Sequence, residues 1–184
     1  SFIFYIYNSC CSRICILAQA METSIKIKRI AITGPESSGK TTLAAALSKH
    51  FCIKHIPEFA RDYLEKGTLN YTQEDLDEIA RGQFKSIETS KDDISISDTD
   101  FIVLKVWSED KYSFASKYIN TRVSKNHFDL HILCAPDIKW EFDEQRENPN
   151  DRDKLFEQYL KILNTFKKDY IIVSGIHNDR LKKS

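Results

Sequence analysis

The stretch Gly34-Pro35-Glu36-Ser37-Ser38-Gly39-Lys40-Thr41 follows an apolar run and precedes Leu43-Ala44-Ala45-Ala46-Leu47. Its spacing, G-x-x-x-x-G-K-[ST], is that of a phosphate-binding loop. Gly34 and Gly39 let the backbone wrap close to an oxyanion, so that successive N–H groups face a β-phosphate. Lys40 then reaches the β and γ oxygens, Thr41 offers a hydroxyl to Mg²⁺, and the helix that starts here adds the positive end of its dipole. Such a loop requires a strand before it and a helix after it. Ile25, Ile27, Ile30, Ala31 and Ile32 supply the first, and Leu43, Ala46 and Leu47 the second. The nucleotide-binding candidates are Gly34, Pro35, Glu36, Ser37, Ser38, Gly39, Lys40, Thr41 and Thr42.

Outward from the loop the chain repeats strand, loop, helix, the order of a parallel sheet covered on both faces. The sequence predicts strands near Ile25–Thr33, Cys52–Ile56, Ile94–Ser97, Leu130–Cys134 and Tyr170–Val173, about five in an α/β fold. Helices are expected over Lys40–His50, from an N-cap at Thr72 to Ser90, and over Arg152–Lys167, where apolar residues recur at helical spacing. Phe101–Trp107 is apolar throughout and reads as either helix or strand. Ser108–Asn126 is polar with interleaved aromatics and reads as helical. Trp140–Asp151, crowded with charge, reads as a mobile loop. Asn178 is a candidate cap for a last helix that stops abruptly at Ser184 and reads as truncated.

With 184 residues, 41% hydrophobic and 29% charged, the chain suits one well-buried core. Its formal net charge is zero, which excludes a strong basic field for nucleic acid or a polybasic membrane anchor. Ser1–Ala20 holds Cys10, Cys11 and Cys15 and directly precedes the only methionine, Met21. Ala18-Gln19-Ala20 imitates a signal-cleavage site, yet Arg13 interrupts the apolar run and no basic region leads it. The segment is expected to be a non-native or upstream leader, with residues 21–184 forming the domain; it is too short and interrupted to span a membrane. Cys52 and Cys134 lack metal spacing and are expected to be buried thiols in a reducing, cytoplasmic compartment.

In an open parallel sheet the ligand lies beyond the carboxyl ends of the strands. Glu58 and Arg61 follow the second strand, and Asp98 and Asp100 the third. A strand-end acid anchors Mg²⁺ opposite the Thr41 hydroxyl, so Asp98 is a candidate metal and catalytic residue. Asp100 is a substrate candidate that could equally cap the next helix. Glu58 could act as base or orienting group toward a sugar hydroxyl, or pair with Arg61 or Lys54. Arg146 and Arg152 could close over the phosphates. Trp107 could stack on a substrate ring or pack in the core.

Six blocks now stand in order: GPESSGKTT (34–42), PEFARDYL (57–64), YTQEDLDE (71–78), DTDFIVLKVW (98–107), LCAPDIKW (133–140) and QRENPNDR (145–152). Together they resemble the nicotinamide riboside kinase domain of the NadR type, over Ile25 to Leu181. The resemblance implies a P-loop kinase fold using ATP and Mg²⁺ to phosphorylate the 5′-hydroxyl of nicotinamide riboside, its small-molecule substrate. It puts Lys40 and Thr41 at the phosphates and metal, Asp98 at the catalytic centre, and Arg146 and Arg152 in a lid. The full-length regulator also carries a DNA-binding helix-turn-helix and an adenylyltransferase domain. No H-x-G-H motif occurs here, so a stand-alone kinase is expected. The rivals are another nucleoside or nucleotide kinase and a P-loop switch binding a protein partner; the N-K-x-D and D-x-x-G motifs of a GTPase switch are missing.

Overall fold

The computed structural model describes residues 28–65, 71–140, 150–175 and 177–184. The elements run β1 (Arg29–Thr33), α1 (Lys40–Phe51), β2 (His55–Ile56), α2 (Phe59–Glu65), α3 (Gln73–Thr89), β3 (Ser95–Asp98), α4 (Phe101–Tyr112), α5 (Lys117–Ser124), β4 (Leu130–Cys134), α6 (Arg152–Thr165), β5 (Tyr170–Val173) and α7 (His177–Lys183). The five strands form one sheet in the order β2-β3-β1-β4-β5, every described pairing parallel. The α/β expectation of about five strands is met.

Alternation along β1 explains why both faces are covered. Ala31 packs with α3, α4, α5 and α6, whereas Ile32, one residue on, packs with Leu43, Ala44 and Leu47 of α1 and with Leu181 of α7. α1 buries this short stripe and leaves Phe51 37% exposed at the helix end. α3 opens on the expected cap: the Thr72 hydroxyl accepts from the Asp75 N–H while the Asp75 carboxylate accepts from the Thr72 N–H.

The ambiguity at 101–107 resolves to helix. α4 buries Phe101, Ile102, Val103, Leu104 and Val106, so its first half runs through the core, where Lys105 alone is too little to impose a period of 3.6. The polar stretch after it is two helices, because Ser113 adopts a left-handed conformation that ends α4 and Ser116 caps α5.

Three expectations need correction or lie elsewhere. Cys52 is in no strand; it is the exposed left-handed cap of α1, and only Cys134 is a buried thiol. α7 begins at His177, ahead of the Asn178 cap read from sequence. Residues 1–20, Met21, and Arg146 in the expected mobile loop fall outside the described residues. Among the described residues no helix is long and apolar enough to cross a membrane.

The topology fixes where a ligand goes. β1 is flanked by β3 on one side and β4 on the other, and the chain leaves it in opposite directions to reach them. That switch in order opens a crevice at the carboxyl ends of β1, β3 and β4. The phosphate loop leaves β1 there, and Asp98 ends β3 in register with Ile32.

Candidate active site

The loop is shaped for an anion. Gly34 sits at φ +134°, and a Cβ there would lie 2.7 Å from the Cys134 carbonyl oxygen. Backbone contact with β4 therefore leaves no room for any side chain at this position. Gly39, at φ +77°, is the N-cap of α1 and offers no side-chain acceptor to the first-turn N–H groups. Those donors remain for a phosphate. Thr41 and Thr42 lie exposed on that first turn.

Three cationic side chains brace the loop. Lys40 Nζ folds back and donates to the Gly34 and Pro35 carbonyls at 3.0 and 2.8 Å. Arg152, at the start of α6, donates to the Ser37 carbonyl at 3.2 Å and to Ile138 at 2.9 Å, which ties a residue expected in the lid directly to the loop. Arg180 of α7, only 3% exposed, donates to the carbonyls of Ser38, Gly175 and Ala135 and pairs with Asp137. Asp137 in turn accepts from the Gly175 N–H at 2.6 Å. One guanidinium thus joins the phosphate loop to the loops after β4 and β5. Sequence reasoning missed Arg180, whose setting among surface charges carries no signal. Asp137 lay inside the LCAPDIKW block without a role.

Asp98 and Asp100 have opposite fates. Asp100 caps α4: its Oδ1 accepts from the Val103 N–H and from the Thr33 hydroxyl, both at 3.0 Å, and its Oδ2 lies 3.5 Å from His131 Nε2. Burial raises its carboxyl above the usual range and lowers the His131 imidazole, while each partner's charge opposes the other's shift. Its visible contacts are those of the capping alternative. Asp98 is 2% exposed and its Oδ1 is buried with no hydrogen-bond partner. Between them Thr99 holds φ +98°, an outlier for a β-branched residue, with its Oγ1 also unpartnered.

Burial lifts the Cys134 thiol to about 11; Lys40, Arg180 and Asp98 also act on it, so β4 marks where the loop lysine and the β3 acid converge. On the other side Tyr159 of α6 is held well above its usual value, by burial first and then by Asp100, Glu58, Glu36 and Asp110. Arg61 lies half-buried on α2. Trp107 of α4 donates from Nε1 to the Tyr71 hydroxyl at 2.5 Å and meets that ring edge-on at 4.9 Å.

An unpartnered Asp98 oxygen, an unpartnered buried Ser38 Oγ and an exposed Thr41 hydroxyl are oxygen donors of the kind a hard divalent cation takes. Among the described residues no group of three or more His, Cys, Asp or Glu could hold a metal by itself. Mg²⁺ at a nucleotide needs only one or two carboxylates, its other ligands being phosphate and water. The residues present fit such an ion.

Comparison with known proteins agrees with this geometry. The family model described as AAA domain matches residues 29–180. The chain belongs to the AAA-domain family. Among curated proteins, this AAA domain is 28% identical over 144 residues to the trifunctional NAD biosynthesis/regulator protein NadR of Salmonella typhimurium (strain LT2), a match covering 73% of this chain and 35% of that protein. The chain spans about a third of the length of the curated relatives it matches. Among solved structures it resembles NadR protein in complex with NR, with a TM-score of 0.67 and 21% identity over 84% of this chain and 46% of that one. It also resembles a thymidylate kinase from Candida albicans, with a TM-score of 0.60 and 19% identity over 85% and 88%. The structural likenesses establish a P-loop kinase fold for this AAA domain.

Proposed function

We propose that this AAA domain is an ATP- and Mg²⁺-dependent kinase that phosphorylates the ribose 5′-hydroxyl of nicotinamide riboside to give nicotinamide mononucleotide. The observation that carries the reading is the pairing of an uncapped phosphate loop with Asp98, whose Oδ1 is buried and unpartnered at the end of the adjoining strand. Similarity to NadR supports the choice of acceptor.

In this reading the first-turn N–H groups of α1 and Lys40 hold the ATP phosphates, and Thr41 and Asp98 would hold Mg²⁺. The ion supplies charge neutralisation at the β and γ oxygens. The acceptor 5′-oxygen forms a bond to the γ-phosphorus as the bond from that phosphorus to the β–γ bridging oxygen breaks; ADP leaves, and the hydroxyl proton passes to a carboxylate, Asp98 or Glu58. Arg152, and Arg146 with it, neutralise charge on the transferring group. Arg61 and Trp107 are assigned to the acceptor side. The setting we assign is the cytoplasm, where ATP is at hand and an unpaired Cys134 thiol is stable.

The acceptor's charge makes the proposal specific. Nicotinamide riboside carries a permanent positive charge, and the carboxylates Glu58 and Asp98 stand at the carboxyl ends of β2 and β3. The test is ADP release with nicotinamide riboside, uridine, cytidine, deoxynucleosides and thymidylate supplied in parallel. The riboside should be favoured in kcat/KM by about tenfold or more, the worth of roughly one screened charge contact. A neutral nucleoside turned over equally well would replace this reading with that of a general nucleoside kinase.

A further inference from the structure

α3 reads as a packing helix, and its buried positions Leu76, Ile79, Ala80 and Ile87 are what such a helix needs. Gln83 breaks the series: it is 0% exposed and polar. A buried amide is costly unless it is paired, and this one is paired throughout. Its Oε1 accepts from the Phe59 N–H at 2.8 Å; its Nε2 donates to the Pro57 carbonyl at 3.4 Å and to Ser97 Oγ at 3.1 Å.

These partners define what the amide controls. The Pro57 carbonyl belongs to the peptide unit before Glu58, and the Phe59 N–H to the one after it. Both planes that set the Glu58 backbone are bonded to one side chain. Ser97, the third partner, is the residue immediately before Asp98 on β3 and is itself buried. The orientation is fixed as well, since turning the amide over would set a donor against the Phe59 N–H and an acceptor against the Pro57 carbonyl. Gly82 seals the arrangement: a Cβ there would lie 2.2 Å from the Phe59 ring, so that ring packs directly on the α3 backbone.

We infer that Gln83 is a positioning residue that sets Glu58 against Asp98 across the site, by holding the backbone on both sides of Glu58 and the residue preceding Asp98. The inference rests on the kinase reading, in which Glu58 and Asp98 are the two carboxylates placed at the acceptor hydroxyl and the metal. Displacing a reacting group by about 1 Å can cost on the order of 10²-fold in rate, so a fixed spacing has catalytic value.

The test is steady-state kinetics on the full chain, with whichever nucleoside the acceptor panel identifies. Gln83→Leu should lower kcat by roughly 30- to 100-fold and leave the KM for ATP within about twofold, because its hydrogen bonds go to Pro57, Phe59 and Ser97 and not to the phosphate loop. The decisive measurement is the same substitution made on Glu58→Gln, where Gln83→Leu should cost less than about threefold more, since the group it positions is already gone. Should the leucine variant fail to fold, Gln83→Glu carries the same cycle, keeping an acceptor toward the Phe59 N–H while losing both donors. Full multiplication of the two losses, an ATP KM that rises in step, or a Glu58→Gln enzyme of normal kcat would overturn the inference. Non-additivity seen with a neutral nucleoside in place of the riboside would uphold it while overturning the riboside assignment.

Discussion

Arg180 and Ser38 stand 142 positions apart in the chain, yet the guanidinium of one donates to the backbone carbonyl of the other in a buried contact. The last helix therefore helps to build the nucleotide site that the first helix opens. Arg180 reaches four partners at once because its planar fork presents several donors in fixed directions. A lysine could satisfy only part of that set. Arg180→Lys is accordingly expected to raise the KM for ATP by about tenfold, the loss of one or two charge-assisted bonds, while the acceptor KM changes little. The thermal shift produced by ATP should shrink in parallel. An unaltered ATP-induced shift would mean that the loop holds its shape without Arg180.

Lys40 bonds to the carbonyls of its own loop and supports little of the core. Lys40→Ala should thus leave a folded protein with a nearly unchanged melting temperature. Phosphoryl transfer should fall by roughly 10²-fold or more, since loss of a cation at the transferring group removes several kcal/mol of transition-state stabilisation. Turnover near normal would remove the phosphate-loop assignment.

What was legible in the sequence is what periodicity and local chemistry report. The loop motif sat between Ile32 and Leu43 as such a loop must, and the β-α order gave a parallel sheet whose carboxyl edge collects Lys40, Glu58 and Asp98. The misreadings share a cause, which is tertiary context. Asp98 and Asp100 are the same residue type two positions apart; the backbone turn at Thr99 and the presence of Thr33 and Val103 make Asp100 a helix cap through Oδ1, while Oδ1 of Asp98 is left unpartnered. Gln83 drew no reading from the sequence: its spacing from Leu76, Ile79, Ala80 and Ile87 puts it on the buried face of α3, but spacing does not name the partners a buried amide finds. Trp107 kept two readings, and the structure adds that its N–H is engaged by Tyr71.

Thr99 offers a test of strain at the site. A β-branched residue at φ +98° is held there by its surroundings, at a cost of order 1–3 kcal/mol. Glycine adopts this conformation freely, at an entropic cost of up to about 1 kcal/mol. Thr99→Gly should therefore stabilise the fold by about 1 kcal/mol and raise Tm by roughly 2–4 °C. Turnover should nonetheless fall, since the rigid turn is what separates Asp98 from Asp100. A lower Tm with full activity would show that the turn carries neither strain nor function.

The pH dependence of stability follows from His127. Its ring packs between Phe84 and Phe101, with centroids at 5.4 and 5.1 Å, and its Nε2 is buried without a partner. Burial first, and then the Arg122 charge, push the imidazole from 6.5 down to about 4. The folded value lies below the unfolded one, so across that window the unfolded chain binds a proton that the folded chain refuses, and stability falls as pH falls. His131 shifts in the same direction, while its partner Asp100, raised by burial, acts against it. His127→Phe keeps an aromatic ring among aromatic rings and removes one of the two titrations. Urea midpoints taken at about pH 7 and about pH 5 should fall less for the variant than for the wild type, with the slope m unchanged. Equal losses in the two proteins would mean that His127 is protonated in the folded state as readily as in the unfolded one, and that its burial among the phenylalanines is not maintained in solution.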